Sequence, residues 1–158
     1  MPKVGHILFM MVVLFIASTR VGYAGNLTSA TGTARMRVNQ SLRIEKTRDM
    51  DFGTAVTGTA EATLNPNQGE GAEFSVKGEP NKAYSIVLPE KAVLTTVSGE
   101  SESQRIEISQ FQSSPKLSGN LSSDGSEILR VGATRPSIGT SQQAGEYSGR
   151  FTVTLTYP

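Results

Sequence analysis

The sequence predicts an all-β domain built as a two-layer sandwich or barrel, and three observations carry that expectation. Apolar and polar residues alternate with period two in short segments, most clearly at 147–157. Clusters of Gly, Pro, Asn and Asp punctuate these segments at intervals of roughly 8 to 12 residues. No window sustains the helical period of an amphipathic helix.

Over 147–157 the odd positions are Tyr147, Gly149, Phe151, Val153, Leu155 and Tyr157, and the even ones are Ser148, Arg150, Thr152, Thr154 and Thr156. A strand gathers the first set on one face and the second on the other, whereas a helix scatters both. β-Branched and aromatic residues dominate, so propensity agrees with pattern. Pro158 has no amide proton to give a ladder and ends the segment.

Composition narrows the rest. A chain of 158 residues with few aromatics and no tryptophan holds one domain of ordinary size. Residues 1–24 read as a secretory signal peptide: Lys3 is basic, 7–17 is an unbroken apolar run, and Gly22-Tyr23-Ala24 offers small residues for cleavage. That run is shorter than the roughly 20 residues of a spanning helix, so no membrane span is expected after its removal. Removal takes away Lys3 and Arg20, two of the 15 basic residues, and leaves 13 against 14 acidic ones, a net charge of −1. Such a balance points to neither nucleic acid nor an anionic membrane as partner. His6, the only histidine, departs with the signal and the chain has no cysteine, so the residue types behind most nucleophile–base pairs and transition-metal sites are missing. An enzyme working through scattered carboxylates is the weakest of the function classes considered.

The mature chain is expected to open with an N-terminal extension, 25–38. Its even positions include Thr28, Ala30, Gly32, Ala34, Met36 and Val38, and its odd positions include Ser29, Thr31, Thr33, Arg35 and Arg37. The alternation predicts a strand whose apolar face is small at one end and larger at the other, suited to a narrow groove. An ordinary edge strand, or a frayed Ser/Thr-rich leader, fits the same residues. Leu42 and Ile44 then alternate with Arg43 and Glu45 in a short strand leading to Met50 and Phe52. Asp49 and Asp51 would share a face of that strand, and a solvated face explains such a pair better than catalysis or metal binding. Further strands are expected near 60–64, 73–78, 83–88, 92–97, 105–111 and 127–132, with a loop at 113–120. Turns are expected at Asn65-Pro66, Glu79-Pro80-Asn81 and Ser123-Asp124-Gly125. Asn65, Asn67 and Glu70 lack the ligand order of a calcium-binding hand, and Val76 stands where its closing glutamate would fall.

The two ends invite a joint reading. Exported subunits that assemble in chains leave a groove in one sandwich and fill it with the extended N-terminal segment of the next. The C-terminal segment resembles the terminal motif of chaperone–usher fimbrial subunits: Gly145 is fourteenth from the end, alternating apolar positions follow, and Tyr157 is penultimate. The extension NLTSATGTARMRV resembles the donor strands of cysteine-free members, with Gly32 where neighbouring subunits approach closely. The stretches DMDFGT, FSVKGEP, YSIVLP, VGAT and AGEYSGRFTVTLTY are similar to a family of secreted bacterial domains of unknown function, which implies a place among fimbrial components.

These resemblances imply an immunoglobulin-like β-sandwich over 39–158, incomplete alone and completed by a donor strand. They imply a structural subunit of a surface fimbria, secreted through the periplasm and polymerising by donor-strand exchange. Ala30, Gly32, Ala34, Met36 and Val38 would form the donor strand. Gly145, Tyr147, Phe151, Val153, Leu155 and Tyr157 would form the strand that borders the groove and is captured by the chaperone. The implied partners are identical or related subunits, a periplasmic chaperone and an outer-membrane usher; no cofactor, metal or enzymatic activity is expected. The same ending also occurs in bacterial immunoglobulin-like domains in which the tyrosine makes a corner contact. A self-contained secreted β-sandwich that binds or adheres is therefore the alternative function.

Overall fold

The computed structural model describes residue 25, residues 28–97, residue 99 and residues 101–158; the expected signal peptide lies outside them. The chain divides after Met36, and the unit Arg37–Pro158 contains every strand found among the described residues. In chain order these are β1 (Arg43–Arg48), β2 (Ala62–Thr63), β3 (Ala72–Lys77), β4 (Ala83–Val87), β5 (Lys91–Thr95), β6 (Arg105–Ser114), β7 (Ser118–Asn120), β8 (Ser126–Arg135) and β9 (Thr154–Thr156). Among the described residues the only helical element is the 3-10 turn Glu102–Gln104.

The strands form two antiparallel sheets. The larger runs β1-β3-β8-β6-β5, with β2 also paired to β8, and the smaller runs β7-β4-β9. The alternation explains the layering: Ala72 and Val76 of β3, Leu129 and Val131 of β8, and Tyr84 and Ile86 of β4 meet in one buried core with Leu121. Phe74, Phe111, Phe151, Val153, Leu155 and Tyr157 pack around it but stay partly exposed. The all-β sandwich predicted from the pattern is therefore the observed architecture. The turns behave as their chemistry dictates: Asn81 takes a positive φ of 56° after Pro80, and Gly125 one of 74° after Asp124.

Residues 28–38 lie in no strand and are exposed throughout, with no ladder partner among the described residues, as the frayed-leader reading has it. Three local expectations need correction. The C-terminal alternation yields a ladder only at Thr154–Thr156, paired with β4, plus one bridge between Ser148 and Thr95. The segment leaves β5 of the large sheet for β4 of the small one, so residues 149–153 cross between partners without pairing to either. The expected loop at 113–120 holds the end of β6 and all of β7. It carries no apolar alternation because β7 is held by backbone pairing at the rim, with Gly119 directly against the Tyr84 ring. Finally, the strand through Ile44 stops at Arg48, so Asp49 and Asp51 share no strand face. Asp49 pairs with Lys46 at 2.5 Å, and Asp51 accepts the Gly53 amide at 2.7 Å. Among the described residues no group of acidic side chains could hold a metal ion.

Candidate functional site

The two sheets are unequal, and the imbalance creates the site. β1 is the outermost strand of the large sheet and β9 of the small one. Ile44 of β1 pairs with fully buried Val76 and shares its face, yet remains 38% exposed. The outer edge of β9 likewise has no neighbour, so its backbone donors and acceptors are open for pairing.

The two free edges meet at Tyr157. Its hydroxyl accepts the Glu79 amide at 2.8 Å and donates to the Gln40 carbonyl at 3.3 Å. Gly78 permits the contact, since a Cβ there would sit 2.1 Å from the Tyr157 oxygen. The Glu79 carboxylate accepts the Gln40 amide and the Arg37 guanidinium, each at 2.9 Å. The Gln40 amide first, and Arg37 second, hold that carboxyl below the usual carboxylate range. Glu79 thus clamps the root of the N-terminal extension while Tyr157 clamps the end of the C-terminal segment.

Apart from this clamp, and lined by neither β1 nor β9, is an open groove of about 900 Å³ along the earlier part of the C-terminal segment. One wall is 49–57, with Met50 and Phe52 half-buried and Val56 71% exposed. The other wall is 142–149 and Phe151, and the floor is Leu94 of β5 with Ile106 and Ile108 of β6. Phe151 is fixed by an edge-on contact with Phe74, centroids 6.2 Å apart, and a tilted one with Phe111 at 5.3 Å. Gly149 lets the wall approach β5, because a Cβ there would lie 2.3 Å from the Val93 carbonyl oxygen. Tyr147 lines the groove, and its hydroxyl accepts from Gln142 Nε2 at 2.9 Å and lies within donating reach of the Ser103 and Gln143 carbonyls, at 2.9 and 2.7 Å. A tyrosine hydroxyl returning to backbone four residues upstream is the corner contact considered above.

Arg135 also lines the groove and is 7% exposed. Its Nη1 donates to the Ala60 and Pro136 carbonyls at 2.9 and 3.0 Å, while its Nε is buried without a partner. It joins no ion pair among those found for the described residues.

The C-terminal residues expected at a groove divide by position. Gly145, Tyr147 and Phe151 line it, whereas Val153, Leu155 and Tyr157 continue the same segment beyond it, half-buried against the core. The residues expected to donate, Ala30, Gly32, Ala34, Met36 and Val38, are all exposed, Met36 at 87% and Val38 at 77%. Arg135 and the wall formed by Met50, Phe52 and Val56 were not singled out as site residues from sequence. One arginine ending an apolar run carries no signal, although DMDFGT and FSVKGEP do contain Phe52, Gly78 and Glu79.

Residues 50–157 match DUF4402, a domain of unknown function, and the chain belongs to that family. The match spans nearly all the stretches whose similarity to such a family was read from sequence. No curated protein matches the chain. Among the described residues no helix is long and apolar enough to cross a membrane.

Proposed function

We propose that the protein is a structural subunit of a secreted surface fimbria that polymerises by donor-strand exchange. The N-terminal extension of one copy would pair along the free edge of the C-terminal segment of another. The observation that carries this reading is the coincidence of a sandwich with an uncovered apolar edge and an exposed, alternating segment outside every strand. Each is a liability alone, since open edges pair indiscriminately. Together they are complementary. A periplasmic chaperone would protect the edge before assembly, an outer-membrane usher would export the subunits, and neither step requires a cofactor.

The energetics suit a persistent but initially reluctant contact. Burying Met36 and Val38 contributes roughly 1.5 to 3 kcal/mol each, and each ladder hydrogen bond adds on the order of 1 kcal/mol net. Ordering the segment costs roughly 1 to 2 kcal/mol per residue. The terms nearly offset, so slow release rather than a large equilibrium gain would hold a fibre together.

A side chain at Gly32 would meet nothing within 4 Å in its own chain, which makes Gly32→Trp a clean test. Unheated gels of the exported protein should show ladders of multimers for the natural sequence and monomer only for Gly32→Trp and Met36→Asp. Ladders unchanged by either substitution would refute the donor assignment. A natural chain that is a stable monomer without any chaperone would favour the second reading, a self-contained binding or adhesion domain. The corner contact of Tyr147 favours that reading, because it is a local latch that needs no partner.

A further inference from the structure

We infer that charge at the groove selects its occupant and places it: Arg35 of a second copy docks against the acidic pair Asp51 and Glu146. This rests on the donor-strand reading and gives it a specificity determinant. Both carboxylates line the groove and are exposed, whereas Asp49, also at the groove, is already paired with Lys46. The only basic side chain among the lining residues is Arg135, which is 7% exposed where the two carboxylates are exposed. A segment entering the groove therefore meets apolar side chains and two exposed negative charges.

The extension has the complementary pattern. Residues 25–44 contain no Asp or Glu, and their first basic residue is Arg35. Arg35 has the opposite parity to Ala30, Gly32, Ala34 and Met36, so a strand that turns those four toward the floor turns Arg35 away from it. Arg37 shares that parity but is held by Glu79 of its own chain. Arg35 has no ion-pair partner among the described residues and is the charge free to serve. Reach is sufficient too: residues 28–38 and 147–157 are equally long, each about 35 Å when extended at roughly 3.3 Å per residue.

Arg135 supplies an independent observation: it lines the groove and its Nε is buried without a partner among the described residues. A buried N–H without a partner is uncommon in a native fold and calls for an acceptor. The extension carries no carboxylate, so what it brings to Nε is a carbonyl oxygen. An acidic peptide as occupant would instead be repelled by the two carboxylates.

The test uses the full chain and follows multimer ladders over time. Arg35→Glu is expected to slow elongation about two- to tenfold at low salt, as steering by exposed charges is lost. Adding Asp51→Lys and Glu146→Lys to the same chain should restore it, and the natural chain should slow as salt rises. Normal ladders from Arg35→Glu would overturn the charge assignment and leave donor exchange standing. A defect that the two charge reversals fail to repair would also overturn it. Absence of ladders from the natural chain would remove the donor-strand reading, and this inference with it.

Discussion

Tyr84 shows how one polar atom can fix the relation between two sheets. It lies 1% exposed in β4, and its hydroxyl donates to Glu127 of β8 in the opposite sheet at 2.7 Å. Burial, reinforced by the hydrogen bond to Glu127 and its charge, pushes the phenol well above its ordinary value. A hydrogen bond to a charged acceptor contributes about 1.5 to 3 kcal/mol, so Tyr84→Phe should lose an amount of that order in urea unfolding. The sign of the pH effect follows. The contribution is complete below about pH 10, where an unfolded tyrosine is still neutral. It is lost as pH rises further, because the unfolded phenol ionises while the folded one resists. The natural chain should therefore destabilise more steeply above pH 10 than Tyr84→Phe, and parallel profiles would contradict this account. Nothing in the sequence tells this tyrosine from the other three. Its partner lies 43 residues away and only the fold brings it near.

Among the elements, the C-terminal segment was the most legible and also the most misjudged. Its alternation correctly assigns Phe151, Val153, Leu155 and Tyr157 to the inner face, because period two depends only on local geometry. How much of it forms a ladder depends on where β4 ends and β5 begins, which no local pattern contains. β7 was missed for the converse reason: Ser118–Asn120 carries no apolar signal and is a strand solely because β4 lies beside it. The groove was legible only as a need, from the pairing of an alternating leader with an alternating tail. Its walls at Met50, Phe52 and Val56 come from a segment without regular structure, where periodicity says nothing. Gly149 tests whether the crossing between sheets is as tight as its geometry indicates. Gly149→Val should cost about 1 to 3 kcal/mol by forcing the segment off β5. Unchanged stability in chemical denaturation would show that the segment can give way.

For the whole molecule, the proposed donor exchange would make a demand on folding itself. A sandwich whose core residues Phe151, Val153 and Leu155 remain half-exposed should refold poorly without a strand beside them. Residues 37–158 alone are expected to refold from denaturant with low yield and to recover when a peptide of residues 28–38 is added, as followed by circular dichroism and size exclusion. Efficient, reversible recovery of a soluble monomer without peptide would remove the reason for exchange. The free edge of β9 also has a mechanical consequence. Its donors and acceptors point sideways in a row, so a segment bound there lies lengthwise and a pull along a filament would load it in shear. Every rung would then share the tension at once, whereas peeling from one end would break them singly, and a fibre of such joints could be slow to assemble yet hard to pull apart.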